Sequence, residues 1–403
     1  MSRLAIRAEV IKLAQVLDLN PERLEFLKAI PAGELKRFRA ATNERLFDQD
    51  LRIFRRLAVL ASVLPAWLTA LLGRYLFGPV LTGRVASEMS ARRAVRIALH
   101  LPPAFLATVC AELDPRRIRD IIQLFPIERI VSVAQALFER RDFMTISRFV
   151  EFLSDDAIRA VEQVLTDEAA LLEIAFYMES KNRLDHLLHL LPSEKVREAI
   201  LVVQDPARRE LWPKVLALIT HVSYALKHEL GELAAGQGEA VLDALVNAIQ
   251  EEDTWADVLP VLVCLSPDTQ RKLANLPILK TPGLLERVFQ DADQAEQWGA
   301  ALSLLQLMSE ALRGIVAQIA ERLPRAAAER IVNAALLGEH WETLLELLAR
   351  MSPAKQREFA EIARDYGAVD PELLLRIAGR AEAYGFGAQF AGMLPAAVSA
   401  ETI

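Results

Sequence analysis

The sequence is poor in the residue types that build disulfides, metal clusters and nucleotide loops. Its 403 residues include two cysteines, Cys110 and Cys264, which form no CxxC pair, so a disulfide scaffold, a zinc ribbon and an iron–sulfur cluster are excluded. The 16 glycines form no GxGxxG or GxxxxGK[ST] loop, and no GxSxG elbow occurs, which removes the common nucleotide-binding and serine-hydrolase motifs. Few glycines and prolines and only 6% aromatic residues also disfavour a turn-rich β-sandwich. We expect an all-α chain without a cofactor.

Charge is unevenly distributed along the chain. The net charge is −7, but the first hundred residues hold 17 Lys and Arg against 9 Asp and Glu, and the remainder holds 30 against 45. Nucleic-acid binding needs a basic stripe along the protein, so we expect no nucleic acid among the partners. The contrast between a basic, apolar N-terminal quarter and an acidic repeat body is the strongest functional hint.

One long stretch lacks charge. LAVLASVLPAWLTALLG begins at Leu57, and nine further uncharged residues follow Arg74 up to Gly83. A membrane span needs about 20 apolar residues in one helix, and Pro65 and Arg74 interrupt this run, so no transmembrane helix is predicted. Charges near the N-terminus also interrupt any secretory signal. We therefore expect a cytoplasmic protein.

Two interpretations of the stretch from 57 to 83 remain open. The favoured one is that these residues form central helices buried on all sides. The alternative is peripheral contact with an anionic membrane at its inner face, because arginines flank the stretch and aromatic residues of the interfacial type lie in it. The candidate membrane-contact residues are Arg52, Arg55, Arg56, Trp67, Leu71, Tyr75 and Arg84.

From residue 89 the chain repeats a short pattern. The segments MSARRA, LPPAFL, LDPRRI and FPIERI follow one another at intervals of 12 residues. Ser and Asp cap helix N-termini, and Pro is tolerated in the first turn. This spacing predicts a series of short helices that pack on one another.

Longer helical hairpins follow. When aligned on turns at Leu153, Leu191, Leu265 and Met351, their apolar residues recur three, four and seven positions before the turn, on one face of a helix. Ten positions before it stand Phe143, Trp255 and Trp341, with Lys181 as the exception. We interpret the aromatic residues as packing anchors, and a ligand-binding aromatic box is the alternative. The pattern predicts an α-solenoid, a superhelix of short helices and helical hairpins capped at both ends. The expected organisation is an N-terminal region 1–100, a repeat body 101–366 with a hinge near 231–238, and a cap and loosely ordered tail 367–403.

The segment from Leu101 to Leu137, with LPP, ELDP and LFP at 12-residue intervals, resembles the short-helix superhelical repeats in the N-terminal domain of MgtE-type magnesium transporters and the middle region of flagellar motor-switch proteins. The likeness extends more weakly to about Val203 and covers about a quarter of the chain. The CBS pair and the pore of those transporters have no counterpart here. The resemblance implies a superhelical architecture and an interaction role.

An arginine recurs six residues after the turns. This candidate ladder consists of Arg119, Arg159, Arg197, Arg271 and Arg357. The simpler interpretation is that each arginine pairs with acids of a neighbouring hairpin or with carbonyls at a helix end. The alternative is that the ladder faces the carboxylates of a protein partner.

The remaining polar residues predict no chemistry. His186 and His189 lie three apart on one helix but lack a third metal ligand, and His221 and His228 are too far apart to share an ion. Both cysteines occupy apolar positions and are interpreted as small buried hydrophobes. We expect no catalytic, cofactor-binding or metal site.

Two functions follow as hypotheses. The first is a non-catalytic helical-repeat scaffold or adaptor that binds a protein partner, docked peripherally on the cytoplasmic membrane through its N-terminal third. The second is the binding of a lipid or another hydrophobic small molecule in an apolar pocket between helices, with the stretch from 57 to 83 as its entrance. The sequence does not identify the partner or the ligand.

Overall fold

The chain is all-helical. The computed structural model describes residues 3–17, 19–47, 51–165, 167–203, 205–281, 283–365 and 371–390, and within these ranges it contains helices and no β-strand. The predicted fold class, all-α, is confirmed.

The chain divides into two compact units. One comprises Leu4–Ser223 and the other Tyr224–Ile403 together with Met1–Arg3; we call them the N-terminal and C-terminal units. The predicted boundaries at 100 and 366 stay predictions. Of the predicted C-terminal region, residues 367–370 and 391–403 lie outside the described residues.

The first fifteen helices occupy the chain up to residue 223. They are α1 (Arg3–Val16), α2 (Ala32–Phe47), α3 (Leu51–Val63), α4 (Ala66–Leu72), α5 (Gly78–Ser87), α6 (Ala91–Ala98), α7 (Pro103–Ala111), α8 (Arg119–Leu124), α9 (Ile127–Glu139), α10 (Phe143–Val150), α11 (Asp155–Glu162), α12 (Glu168–Tyr177), α13 (Lys181–Leu190), α14 (Ser193–Val202) and α15 (Trp212–His221). Short 3₁₀ segments lie at Pro21–Ala29 and Pro206–Leu211, and a π-helical turn at Gly73–Phe77 joins α4 to α5.

The predicted short helices are present. Helices α6, α7, α8 and α9 correspond to the four 12-residue segments, and Ser90, Pro102 and Pro126 stand at N-cap positions as their sequence pattern indicates. Helix α7 packs on α5 and α9, while α6 packs on α8. Each short helix therefore buries its apolar face mainly against helices close to it in the chain.

The remaining helices belong to the C-terminal unit. They are α16 (Tyr224–Ala235), α17 (Glu239–Glu252), α18 (Trp255–Leu262), α19 (Pro267–Ala274), α20 (Leu284–Gln294), α21 (Trp298–Leu305), α22 (Glu310–Glu321), α23 (Arg325–Leu337), α24 (Trp341–Leu348), α25 (Pro353–Asp365), α26 (Pro371–Ala383) and α27 (Gly387–Phe390). A 3₁₀ segment at Pro277–Lys280 precedes α20.

A 43-residue repeat organises the chain from residue 212, which the hairpin alignment missed. Tryptophan begins a helix at 212, 255, 298 and 341, and serine stands eleven residues later, at 223, 266, 309 and 352, directly before α16, α19, α22 and α25. This length is typical of repeats built from helix pairs, about 40–47 residues. The turns at Leu265 and Met351 belong to alternate repeats, and Val222 and Met308 hold the same place in the two between them.

The repeat extends to backbone conformation. Asp253, Glu296 and Glu339, again 43 residues apart, have φ of 53°, 57° and 57°, the left-handed region in which helices commonly end. Each residue lies two positions before the next tryptophan. The predicted packing anchors are confirmed, because Phe143, Trp255 and Trp341 are buried.

Long polar side chains tie successive hairpins together. Arg148 donates to the carbonyl oxygen of Leu113 at 2.7 Å, Arg183 to that of Leu153 at 2.6 Å and Lys355 to that of Leu323 at 2.7 Å. These acceptors lie just after helices, where carbonyl groups lack a helical partner. The hydrogen bonds span 30 to 35 residues of chain, so they fasten one hairpin to the next.

Carboxylates make the complementary contact. Glu151 accepts from the backbone N–H of Ser180, Glu232 from that of Ser266 and Glu321 from that of Ser352. The three serines directly precede helices, so these bonds satisfy N-terminal donors that a helix leaves unpaired. Many charged side chains in this protein therefore serve the packing of the repeats.

The predicted hinge near 231–238 has a defined conformation. Gly231 lies inside α16, where a Cβ atom would stand 2.3 Å from a Leu265 methyl carbon, and Gly238 has φ of 107° before α17. A larger residue at 231 would therefore displace the Leu265 side chain, and the backbone at 238 favours glycine. Movement at this place stays a prediction.

Candidate functional site

The N-terminal unit contains an apolar cavity of about 580 Å³. Its walls come from α3 to α11, between Leu57 and Val161. The volume lies within the roughly 300–1,000 Å³ of small-molecule sites. The second hypothesis requires an apolar pocket between helices; that a ligand binds there, entering through the stretch from 57 to 83, stays a prediction.

Polar groups are nearly missing from the cavity wall. The lining side chains are apolar apart from Thr69, Thr82 and Cys110. The Thr69 hydroxyl donates to the carbonyl oxygen of Pro65 at 3.1 Å, and that of Thr82 donates to Gly73 at 3.1 Å. Because both hydroxyl protons are engaged by the backbone and no charged residue lines the wall, the cavity suits an apolar occupant.

Cys110 lies in this apolar wall. Burial raises the pKa of its thiol to about 12, with a smaller contribution from the carboxylate of Asp142. The side chain is partly accessible, through the cavity that it lines. A thiol is the nucleophile only in its ionised form, so Cys110 contributes apolar surface here.

The segment α3–α5 forms one wall and presents an apolar outer face. Ten of the twenty large apolar side chains that are exposed among the described residues lie between Val59 and Leu81. The favoured interpretation, burial of this stretch on all sides, is therefore wrong. Phe54, Ala58 and Ala70 are buried on the inner face of these helices. The helices carry more apolar residues than this narrow face can bury, so the others are exposed.

The predicted membrane-contact residues lie on or beside this outer face. Trp67, Leu71 and Tyr75 are exposed, with 58%, 48% and 69% of their surface accessible, and Arg55 and Arg56 are exposed as well. Arg84 is half-buried, and its guanidinium lies 5.5 Å from the ring centre of Phe54. The Arg52 side chain lies outside the described residues. Whether they contact a membrane stays a prediction.

Local sequence explains the path of this wall. Pro65 follows α3 and starts α4, and a Cβ atom at Gly73 would stand 3.0 Å from the Thr82 hydroxyl. Gly78 has φ of 72°, which lets the chain turn and bring α5 back against α3 and the π-helical turn. Such π turns are frequent at functional sites.

The predicted arginine ladder is exposed but is not continuous. Arg159 pairs with Asp156 at 3.2 Å, Arg197 with Glu194 at 3.3 Å and Arg271 with Asp268 at 3.3 Å, each three residues earlier on its own helix. Arg357 donates to the Pro353 carbonyl oxygen, and Arg119 is exposed. The contacts of these four arginines lie within single helices, whereas the simpler expectation was pairing with acids of a neighbouring hairpin or with carbonyls at a helix end.

The 43-residue register locates the gaps in this ladder. The positions equivalent to Arg271 and Arg357 in the other two repeats hold His228 and Gly314. The arginines that do bridge hairpins, such as Arg148 and Arg183, occupy other positions. Sequence spacing alone does not distinguish arginines that bridge hairpins from arginines that make contacts only within their own helix.

The histidines make separate local contacts. His186 Nε2 lies 3.0 Å from Asp155, whereas His189 Nδ1 contacts the Asp185 carbonyl oxygen of its own helix. Within the described ranges no three His, Cys, Asp or Glu side chains gather in a group able to hold a metal ion. In that same part of the chain, no helix has the length and apolarity needed to cross a bilayer.

A buried charge cluster fastens α1 and α2 to the rest of the N-terminal unit, and sequence reasoning missed it. Arg39 lies between Glu9, at 3.1 Å, and Glu179, at 2.6 Å, and Arg116 also reaches Glu179. Burial alone raises the pKa of a carboxyl group, but Arg39 and Arg116 hold the pKa of Glu179 below its usual value. Arg39 and Glu179 are 140 positions apart in the chain, so no local motif marks the cluster.

No protein-family model matches the chain, and comparisons with curated proteins and with solved structures found no match either. The resemblance to MgtE-type and motor-switch repeats therefore stays a proposal that rests on the segment from Leu101 to Leu137.

Proposed function

We propose that this protein binds a hydrophobic small molecule, of the class of a lipid acyl chain, in the cavity of its N-terminal unit and does not transform it. The observation that carries the proposal is the cavity of about 580 Å³ with an almost entirely apolar wall. Transfer of each methylene group from water into such a site is worth about 0.8 kcal/mol. A chain of many methylenes therefore gains enough to bind without polar contacts.

The wall also indicates which part of a lipid it accepts. A charged headgroup in the cavity would lose its hydration with no partner to replace water, which is costly. The hydrocarbon tail therefore enters, and the headgroup remains at the surface. The same lack of polar side chains supports a binding role over catalysis, since general acids, bases and nucleophiles need such groups.

Mass spectrometry of an organic extract of the purified protein tests this function, together with displacement of a fluorescent fatty acid. We expect a co-purifying hydrophobic molecule and saturable binding. A double variant, Ala98→Phe with Ala134→Phe, fills the cavity wall and is expected to reduce affinity at least about tenfold. The matched control, Ala326→Phe with Ala354→Phe, changes two exposed alanines.

The wild-type and control proteins should behave alike in this assay. An extract without a bound hydrophobic molecule, combined with no saturable binding by folded wild-type protein, contradicts the proposal. If the cavity-filling variant binds with the same affinity as the wild type, the binding site is not this cavity.

An α-solenoid is the architecture that we propose for the repeats. Within the C-terminal unit α18 packs on α20, α21 on α23 and α23 on α25, which is the neighbour-to-neighbour packing that stacked repeats need. We propose that the terminal helices cap the stack. At the C-terminal end, α26 and α27 pack on each other and on α24 and α25, as a cap would.

A scaffold role for a protein partner is the second candidate. The favourable observation is that the five ladder arginines are exposed. Among the described residues, Arg159, Arg197 and Arg271 pair with acids of their own helices. Chemical cross-linking of the full-length protein in its native cells should yield a stoichiometric partner. That yield should fall with Arg159→Glu and Arg197→Glu, and persist with Arg322→Glu, another exposed arginine.

A further inference from the structure

We infer that the outer face of α3–α5 docks on the surface of an anionic lipid bilayer, and that the cavity opens onto this face, so that an acyl chain enters directly from the membrane. The entry step rests on the proposed function, whereas the docking step does not. The occupant of the apolar face is thus a bilayer rather than a protein.

The cavity wall reaches the surface on this face. Leu60, Val63, Phe77 and Leu81 line the cavity and are also exposed, Val63 to 82% and Leu60 to 65%. The first two belong to α3, and the other two to the end of the π-helical turn and to α5, helices that pack against each other. The cavity therefore reaches the surface at residues of α3, the π-helical turn and α5, and we call this opening the mouth.

Further apolar side chains are exposed on α4 and the π-helical turn, which connect α3 to α5; we call them the rim. Trp67, Leu71, Tyr75 and Leu76 are exposed and do not line the cavity, so ligand binding alone does not explain them. Contiguous exposed apolar side chains mark interaction surfaces, and Trp and Tyr favour the boundary between water and lipid. A lipid bilayer would cover the exposed apolar rim and also supply acyl chains to the mouth.

Charge selects an anionic bilayer. From residue 51 to 111 the chain holds eight arginines and one acidic residue, Glu88, and Glu88 accepts from Arg55 at 2.9 Å. Arg56, Arg74, Arg92 and Arg96 are exposed. Juxtamembrane basic residues are attracted to anionic lipids.

Helix α3 shows how charge and apolarity combine. Arg56, Leu60 and Val63, at spacings of four and three residues, share one face, and all three are exposed. That face is basic at its N-terminal end and apolar at its C-terminal end. The basic end suits phosphate headgroups while the apolar end reaches the acyl region, as in interfacial helices.

Vesicle flotation of the full-length protein tests docking. The probes are vesicles of phosphatidylcholine alone, or of phosphatidylcholine and phosphatidylglycerol in equal parts. The variant Trp67→Glu with Leu71→Glu removes rim residues and leaves the cavity wall intact. Its matched control, Phe26→Glu with Leu337→Glu, places two acids at other exposed apolar positions.

Wild-type and control proteins should float with the anionic vesicles, far less with the neutral ones, and less at high salt. The rim variant should partition at least about tenfold less. Docking is overturned if the rim variant floats as well as the wild type. It is also overturned if the wild type does not float with anionic vesicles, and a protein is then the partner to seek.

Transfer of a fluorescent lipid from donor vesicles to the protein tests the entry route. The rim variant should bind a detergent-dispersed fatty acid as the wild type does but take up vesicle lipid at least about tenfold more slowly. Equal uptake overturns membrane entry. The variant Ala98→Phe with Ala134→Phe should still float, so a failure of ligand binding and a failure of docking are told apart.

Discussion

Single residues show how the same amino acid takes opposite roles in this protein. Trp298 is buried, stacks on Phe289 and donates to Asp293 at 2.9 Å, whereas Trp67 is exposed. The sequence pattern recognised Trp255 and Trp341 as packing anchors because each lies on an apolar helix face. Trp67 also lies in an apolar run, and only its exposure distinguishes it.

Replacement of these two tryptophans by alanine should have unequal effects on stability. Trp298→Ala removes a large buried side chain and should lower the free energy of unfolding by about 3–5 kcal/mol. Trp67→Ala should change it by no more than about 0.5 kcal/mol. Denaturant unfolding followed by circular dichroism measures both, and equal effects would contradict the burial of Trp298 and the exposure of Trp67.

The thiol of Cys110 should resist alkylation in the folded protein. With a pKa of about 12, roughly one thiol in ten thousand is ionised at pH 8, far fewer than for an ordinary cysteine of pKa about 8.5. Iodoacetamide labelling followed by peptide mass spectrometry should show slow modification of Cys110. In denaturant, the same cysteine should label at the ordinary rate.

The raised pKa of Cys110 also makes the stability of the fold depend on pH. Above about pH 8.5 the unfolded thiol loses its proton while the folded thiol keeps it, so the folded state binds more protons and stability falls as pH rises. Cys110→Ala should reduce this decline between about pH 9 and 11. An unchanged pH dependence of denaturant unfolding would contradict the apolar setting of this thiol.

At the scale of elements, the helix caps were read directly from the sequence, whereas the repeat length was missed although Trp and Ser recur every 43 residues. The Ser-Pro and Ser-Asp pairs marked the starts of α11, α19 and α25, since capping is chemistry between residues a few positions apart. The 43-residue register was obscured because the turn residues vary between Val222, Leu265, Met308 and Met351. The identical φ values at Glu296 and Glu339 reveal it directly.

Glycine at these left-handed positions should stabilise the repeats. Glu296→Gly and Glu339→Gly relieve a conformation that costs a side-chain-bearing residue about 1 kcal/mol, and each should raise the free energy of unfolding by about 0.5–1 kcal/mol. Glu329→Gly, within α23, should lower it by about 1 kcal/mol. Thermal and denaturant unfolding compare the three variants, and destabilisation by the first two would contradict the backbone assignment.

Over the whole molecule, the cavity is the reason why we propose ligand binding ahead of a scaffold role. Lack of catalytic motifs and the hairpin pattern first favoured a protein scaffold. The cavity supports ligand binding on a named set of side chains, whereas the arginine ladder is interrupted at His228 and Gly314. The basic N-terminal quarter remains relevant to function, because several of its arginines lie on the helices that form the cavity wall.

Affinity for saturated fatty acids should depend on chain length. Each added methylene should strengthen binding by about 0.8 kcal/mol, nearly fourfold in Kd, until the cavity is full, after which affinity should level off. At a ligand concentration a hundred times Kd, stability should increase by about 2.7 kcal/mol. Calorimetric titration and thermal unfolding of the full chain measure both. An affinity independent of chain length would contradict burial of the chain in the cavity.

The sequence by itself determined the helical class, the short capped helices and the apolar faces, because helix period and capping depend on residues three or four positions apart. It also located the uncharged stretch from 57 to 83 and its flanking arginines. Only the tertiary structure decided that Val63 and Trp67 are exposed, that Leu60 and Leu81 line a cavity, and that Arg148 and Arg183 fasten hairpins. Those properties depend on how residues from different helices pack, and the volume that packing leaves empty has no signature in any local pattern.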